Sequence, residues 1–490
     1  MTETDVLIAG AGISGLVMAM EARARGFAVT VLEKADDIGG TWRENTYPGV
    51  ACDIPSHLYS LATHPNPHWT RAYAGGTEIQ AYLREVTDRE HLRPLIRFGR
   101  TLTAAHWDGA RWQVRTAEGE TFAARVLVSA MGALHIPSIP DLPGRFDGPA
   151  FHSAEWRHDL DLTGKRVAVL GTGASAVQFV PEVAKVAAQV TVFQRSAPYV
   201  MPRGDAPIAP WVRRLYAALP GLPRLRRALI HRMQELQHAN FRGDPTAVRI
   251  AMWMWRRHME KSIKDNDLRQ ILTPGYRIGC KRIMVSDDWY PALARPNVRV
   301  IPAAAARLEP GRVIAADGRE AEADVVIHGT GFHVTDAFAR LDVQGEGGRS
   351  LSDAWAGGLR AHLGTAVAGF PNLFFLLGPH TGLGHNSVVL MIEAQAAHVG
   401  RLLAEMRARG IPALAPRPEA EDAFEAEMDR RLSRMVWQTG GCGSWYQDAT
   451  GRASALWPGT VDEYARRMAA AGIADYAPPE GAAERTEVPA

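Results

Sequence analysis

Cysteine is scarce in this 490-residue chain: Cys52, Cys280 and Cys442 are the only three, and they lie far apart in sequence. Their spacing excludes a CxxC redox pair and a cysteine-based zinc site, no metal centre is expected, and a disulfide framework is not expected either. A reducing cytoplasm is the expected home. Long apolar runs are also missing. None reaches the roughly 20 residues that cross a bilayer, so no integral membrane span is expected. The opening Met1-Thr-Glu-Thr-Asp5 is acidic and runs straight into Val6-Leu-Ile-Ala9, unlike the basic start of a secretory signal. An excess of one charge is lacking too. The 55 Lys and Arg face 53 Asp and Glu, a net of +2, too balanced for a general nucleic-acid binder. At 46% hydrophobic and 22% charged, the composition is that of a globular chain with ample core.

What the chain does have is glycine in patterned places. Val6-Leu-Ile-Ala9 reads as a short strand covered on both faces. Gly10-Ala-Gly12-Ile-Ser14-Gly15 comes next, then a helical stretch from Leu16 to Arg25 that Gly26 stops. A second apolar strand, Phe27 to Leu32, ends at Glu33. This is a βαβ unit of dinucleotide-binding length. Another begins at Arg166-Val-Ala-Val-Leu170, turns through Gly171-Thr172-Gly173-Ala174-Ser175-Ala176, continues as a helix from Val177 to Ala187 and returns as a strand from Gln189 to Phe193. Later strands, Asp324 to His328 and Asn372 to Leu377, run into Gly329-Thr-Gly331 and Gly378-Pro379. Strands alternating with helices and glycine turns imply a doubly wound α/β architecture. The expected fold is therefore α/β with two Rossmann-like dinucleotide-binding domains, the second inserted in the first. Residues 1–145 and 325–475 are assigned to the first domain and 146–206 and 270–324 to the second. Residues 207–269 are expected to form a helical insertion and 476–490 a flexible tail.

From Pro207 to His258 the pattern is helical, broken into pieces by prolines 207, 210, 220 and 223. Eleven arginines between Arg203 and Arg257 oppose only Asp205, Glu235 and Asp244, a local excess of eight positive charges. The plain reading is a solvated basic face. The alternative is loose contact with an anionic membrane that delivers a lipophilic substrate.

The two glycine turns differ in the strand ends beyond them. In the first unit, Gly10 permits the tight turn, Gly12 lets the backbone approach a pyrophosphate, and Gly15 lets the helix pack on the sheet. Glu33 can accept hydrogen bonds from ribose hydroxyls. In the second unit, the strand ends in Arg195-Ser196 instead of an acid. A guanidinium and a hydroxyl suit a 2′-phosphate, which points to NADPH over NADH. Two dinucleotide sites without a CxxC suggest a flavoprotein reduced by a nicotinamide.

Two further motifs carry a family resemblance. Phe146-Asp-Gly148-Pro-Ala-Phe-His152-Ser-Ala-Glu-Trp156 matches FxGxxxHxxxW, and Gly40-Thr41-Trp42-Arg-Glu-Asn-Thr-Tyr47-Pro48-Gly49-Val-Ala-Cys-Asp53 matches GxWxxxxYPGxxxD. With these motifs the chain resembles the type I Baeyer–Villiger monooxygenases, class B flavin enzymes, over nearly its whole length. It departs from the pattern at Arg157, where Pro or Asp is usual, and at Ala51, where some members carry Arg. The resemblance implies FAD in the first domain and NADPH in the second. NADPH reduces the flavin, dioxygen adds as a flavin 4a-peroxide, and a ketone becomes an ester or lactone. It further implies that Cys280-Lys281-Arg282 places Lys281 at the 2′-phosphate and Arg282 at the flavin, with Asp53 pairing with Arg282; Arg282 and Asp53 are the expected catalytic residues. Ser14, Gly40, Thr41, Trp42, Tyr59, Gly331 and Asn386 join the expected cofactor contacts, and Trp445 resembles a late tryptophan near the nicotinamide ribose. His152 is expected to pack or hinge, not to catalyse. Substrate-pocket walls are expected from the helical insertion and the Leu383 to Val388 loop. The Gly378–Asn386 stretch resembles the wider flavin monooxygenase group, so oxygenation at sulfur or nitrogen stays open. A non-enzymatic flavin-binding protein is disfavoured, because Arg195, Lys281, Arg282 and Asp53 would have no purpose there.

Overall fold

The computed structural model describes residues 1–334, 341–448 and 450–479. Thr2–Ala9 is an interior strand of the first sheet, parallel to Val29–Glu33 on one side and Thr121–Ser129 on the other; Val6 lies opposite Val29 and Val126. Its run of apolar residues reflects this position, because helices cover both faces of a parallel sheet. Ile96–Phe98 extends one flank, and Trp112–Thr116 followed by Leu102–Trp107 continues the other as antiparallel strands. The helix Ile13–Ala24 packs on the sheet and against the long helix Val388–Ala408, joining Leu16, Met18 and Ala22 to Ile392, Val399 and Leu403 in one core.

The second sheet is wholly parallel, in the order Val298–Ile301, Gln189–Phe193, Arg166–Leu170, Val325–His328, Ala150–His152. Its pairing overturns one expected domain boundary. Residue order assigns Val325–His328 to the first domain, yet Ile327 pairs with Val169 and Phe151, inside the second sheet. The first sheet resumes later, with Asp342–Gln344 beside Leu102–Trp107 and Leu373–Phe375 beside Thr121–Ser129. Periodicity cannot distinguish the two cases: a strand buried on both faces and ending in a glycine turn looks the same in either parallel sheet.

The insertion is helical, comprising Pro210–Ala218, Gly221–Leu236, His238–Phe241, Pro245–Ser262 and Asn266–Ile271. Asp244 caps the fourth helix by accepting from the backbone N–H groups of Thr246 and Ala247, with Pro245 at the first turn where its missing N–H costs nothing. Trp255 and Met259 seat this helix on the second domain. The tail also starts later than expected. Tyr476–Ala477 pairs antiparallel with Ala415–Pro416, and Tyr476 is buried in the first core; residues 480–490 lie outside those described. No described helix is long and apolar enough to cross a membrane.

Candidate active site

Both glycine turns open into one cavity of about 1420 Å3. At the first turn Gly10 sits at φ +105°, and a Cβ there would lie 2.7 Å from the Ala130 carbonyl oxygen. A Cβ at Gly15 would lie 1.8 Å from the Gly10 oxygen, so this glycine serves the close packing beneath the turn and does not line the cavity. Gly12 and Gly40 face each other across the cavity wall; a Cβ on Gly40 would come within 3.1 Å of the Gly12 Cα. That leaves bare backbone beside an exposed helix N-terminus, as a pyrophosphate requires. Glu33 ends its strand where expected. Its Oε2 accepts the Ala11 N–H at 2.7 Å and its Oε1 the Ala35 N–H at 2.9 Å. These bonds fix the carboxylate at the wall, and each oxygen retains a lone pair for a ribose. Ser14, Thr41, Trp42, Tyr59, Gly331 and Asn386 line the same cavity, and Trp42 Nε1 donates to the Tyr59 hydroxyl at 3.1 Å.

At the second turn Gly171 has φ +101°, with the Gly329 oxygen 2.6 Å from where its Cβ would be. Gly171, Thr172, Gly173, Ala174 and Ser175 line the cavity, whereas Ala176 is buried beneath against Gly329. Beyond the strand end, Lys281 Nζ donates to Ser196 Oγ at 2.7 Å. Burial, with Arg195 nearby, holds the Lys281 pKa below its ordinary value. Neither cation has a carboxylate partner among the described residues. Two adjacent cations and a hydroxyl without a counter-charge are complementary to a phosphate dianion.

Arg282 and Asp53 meet across the domain boundary. Arg282 Nε donates to Asp53 Oδ2 at 3.0 Å and its Nη2 donates to the same oxygen. Their side chains keep 31% and 26% of their exposure, and both line the cavity. Asp53 raises the Arg282 pKa above the ordinary arginine value, against the cost of burial. The guanidinium is charged at any working pH.

Several site elements were not legible as such in the sequence. Gln178, on the helix Ala174–Val183, accepts from the Tyr47 hydroxyl at 3.0 Å and the Ala51 N–H at 3.3 Å, and donates to the Ala51 oxygen at 2.8 Å. Gly49 approaches the same helix, where a Cβ would lie 2.8 Å from the Gln178 oxygen. The Gly40–Asp53 motif thus begins as a wall of the first nucleotide site and ends as a clamp on the second domain. Buried Tyr446 lies within electrostatic reach of Arg282; desolvation pushes its hydroxyl up to about 12.

No disulfide framework is expected from three widely spaced cysteines, yet the fold joins two of them. Cys280 and Cys442 form a disulfide with Cα atoms 6.2 Å apart, while Cys52 is free and buried. Their 162-residue separation hid an adjacency that only the fold creates. The bond ties the residue before Lys281-Arg282 to the loop carrying Trp445, which lines the cavity and packs tilted against the Tyr446 ring, their centroids 4.3 Å apart.

His152 packs, as expected. It is fully buried on the edge strand of the second sheet, accepts the Ala154 N–H at 3.2 Å and meets Phe332 edge to face. Leu383, Asn386 and Val388 line the cavity, but no residue of 207–269 does. The insertion instead braces the wall from behind. Asn386 Nδ2 donates to Glu235 Oε1 at 2.7 Å, and Arg227 Nη2 pairs with Glu393 at 2.9 Å. Although burial opposes it, hydrogen bonds from His385, Asn386 and the Asp462 and Val461 N–H groups hold the Glu235 pKa down to about 2.

Comparison with known proteins agrees with this geometry. Residues 7–220 match the family model described as pyridine nucleotide-disulphide oxidoreductase. A Baeyer–Villiger monooxygenase of Streptomyces coelicolor is 46% identical over 96% of this chain and 92% of its own length. One from Pseudomonas aeruginosa is 42% identical over 93% and 87%. Among solved structures, a steroid monooxygenase bound to NADP superposes with a TM-score of 0.86 at 31% identity, over 97% of this chain and 99% of that one. Cyclohexanone monooxygenase from Rhodococcus sp. Phi1 bound to NADP+ gives the same TM-score and coverage at 27% identity. Two nucleotide turns on one cavity, an unpaired cation cluster at the second and near-full-length relatives converge on one conclusion: this chain belongs to the Baeyer–Villiger monooxygenases, enzymes that use FAD and NADPH.

Proposed function

We propose that this enzyme inserts one oxygen atom beside the carbonyl of an apolar ketone, giving an ester or lactone, and that Arg282, held by Asp53, is the residue on which that step depends. The Arg282–Asp53 pair facing the cavity carries the proposal. FAD, which Gly10, Gly12, Glu33 and Gly40 would hold, would supply the redox chemistry that couples NADPH oxidation to the activation of dioxygen. Arg195, Ser196 and Lys281 bind the 2′-phosphate and so orient the nicotinamide. Arg282 stabilises negative charge on the attacking oxygen and on the carbonyl oxygen, and its high pKa keeps it from delivering the proton that would quench them. Asp53 fixes the guanidinium, so that no reorganisation is needed when charge develops. Leu377, Leu383, Val388 and Ile392 give the cavity apolar walls suited to a ketone body and unfavourable to water.

The test is Arg282→Ala. Loss of one preorganised donor typically costs about 10²–10³ in rate. The variant should bind FAD normally yet form little or no ester from any ketone the wild type accepts, with NADPH electrons recovered as hydrogen peroxide. Near-normal ester yield would return Arg282 to a structural role. A wild-type enzyme that oxidises a thioether but no ketone in a substrate panel would replace the carbonyl reading with heteroatom oxygenation.

A further inference from the structure

Fifteen large apolar side chains are exposed among the described residues, and ten of them lie between Trp211 and Met254, within the insertion. They are arranged in stripes. On Pro210–Ala218 and its C-cap, Trp211, Leu215 and Leu219 recur every four residues. On Gly221–Leu236 the exposed row is Leu225, Leu229, Met233 and Leu236, while Ile230 on the opposite side is buried. On Pro245–Ser262, Ile250, Trp253 and Met254 point outward, and Ala251, Trp255 and Met259 point into the second domain. Three helices thus present apolar rows to solvent, and two of them bury a second apolar face in the protein. Monomeric proteins rarely leave apolar helix rows of this extent exposed without a partner for them.

The same helices carry the arginine excess. Arg214, Arg224, Arg226, Arg249, Arg256 and Arg257 are exposed, and none has a carboxylate within ion-pairing distance among the described residues. Arg257 lies over the Trp253 ring, 5.7 Å from its centroid. Apolar rows flanked by arginine, with tryptophan at the boundary, are the composition of helices that lie in a lipid–water interface.

We propose that the helical insertion is a membrane-docking platform that seats this enzyme on an anionic lipid bilayer. A second copy of the chain fits this face poorly. A two-fold interface apposes identical patches, and the exposed arginines of this insertion would then face their own copies. An anionic bilayer satisfies both features at once, accepting the apolar rows and neutralising the arginines. The inner side of the platform gives the seating a purpose. The helix Gly221–Leu236 reaches Glu393, next to cavity-lining Ile392, through Arg227, and cavity-lining Asn386 through Glu235. A lipophilic ketone dissolved in the bilayer would be concentrated within one helix thickness of the cavity wall. The docking itself stands apart from the ketone reading and is read out by vesicle binding, without any ketone.

FAD-loaded full-length enzyme is sedimented with vesicles of phosphatidylcholine alone and of phosphatidylcholine mixed with phosphatidylglycerol. The wild type should sediment with the mixed vesicles at low salt, less at high salt because screening shortens the reach of the arginines, and little with the neutral ones. Two variants divide the contributions. Leu225→Ser/Leu229→Ser/Met233→Ser should lose vesicle binding at every salt concentration. Arg224→Glu/Arg226→Glu should weaken partitioning to mixed vesicles about tenfold or more, at roughly 1 kcal/mol per surface charge. Both should retain wild-type flavin content and wild-type NADPH consumption, which shows that the fold is intact. Absence of wild-type binding to the mixed vesicles, or equal binding by wild type and variants, overturns the proposal. So does a wild-type dimer in sedimentation velocity that the triple serine variant dissociates.

Discussion

At the scale of single residues, the second nucleotide site offers the cleanest separation of roles. Arg195 is exposed at a strand end, and Lys281 is hydrogen-bonded to Ser196 beside it. A charge-assisted hydrogen bond contributes roughly 1.5–3 kcal/mol, so losing one implies about tenfold to a hundredfold. Arg195→Ala should raise KM for NADPH by that factor and leave KM for NADH nearly unchanged; equal losses with both cofactors would show that Arg195 does not read the phosphate. Asp53→Ala probes the other site. It should lower ester yield and raise peroxide in the direction of Arg282→Ala but less completely, because Asp53 acts by positioning the guanidinium. Product analysis by gas chromatography alongside a peroxide assay separates the two variants. The residue types on which these predictions rest were readable in the sequence, because a basic strand end and a Lys-Arg pair stand out against a nearly neutral chain. The partners were not, since Asp53 and Arg282 are 229 residues apart.

Elements, more than residues, hold the two domains in register. The Tyr47–Gln178–Ala51 clamp joins the end of one motif to the helix that opens the second nucleotide site. Gln178→Ala should leave FAD content unchanged and increase the fraction of NADPH lost to peroxide, measured as product formed per NADPH consumed. A coupling ratio equal to the wild type's would show that this contact does not set domain register. The disulfide acts close to Arg282 in sequence, through Cys280. Closing a loop of this length is worth about 5 kcal/mol in unfolded-state entropy, and the bond also tethers the Trp445 loop. Cys442→Ser should lower the melting temperature and raise KM for NADPH. A variant with unchanged NADPH kinetics would confine the bond to stability.

The whole molecule carries a pH dependence that no single element announces. His57, His238 and His328 are buried, and desolvation lowers each pKa to about 4; for His398 it falls to about 3. Unfolded, each titrates near 6.5. Between these values the unfolded chain binds more protons than the folded one, so stability is fully present above pH 6.5 and declines as pH falls toward 4. Glu235, held down to about 2, loses its contribution as pH falls below its ordinary value of 4.5, in the same direction. Thermal unfolding from pH 7.5 to 5 should show the melting temperature falling by several degrees and none of the loss recovering with added salt. A melting temperature flat over that range would mean that these histidines gain their protons without unfolding the protein.

The sequence by itself determined the local parts of this protein: two βαβ units, the glycines at their turns, Glu33 at one strand end and Arg195 at the other, and a basic helical segment. Those features depend on neighbours within a few tens of residues, where strand burial, glycine geometry and charge leave a direct imprint on residue order. Tertiary structure alone decided the rest. It placed Val325–His328 in the second sheet, joined Cys280 to Cys442, set Gln178 against Tyr47, and left the insertion outside the cavity with its apolar rows facing outward. Each of these depends on which buried surfaces meet across more than a hundred residues of chain, or on which faces meet nothing at all. A parallel strand reads alike in either sheet, and a leucine row at four-residue spacing reads alike whether it faces a core or a membrane.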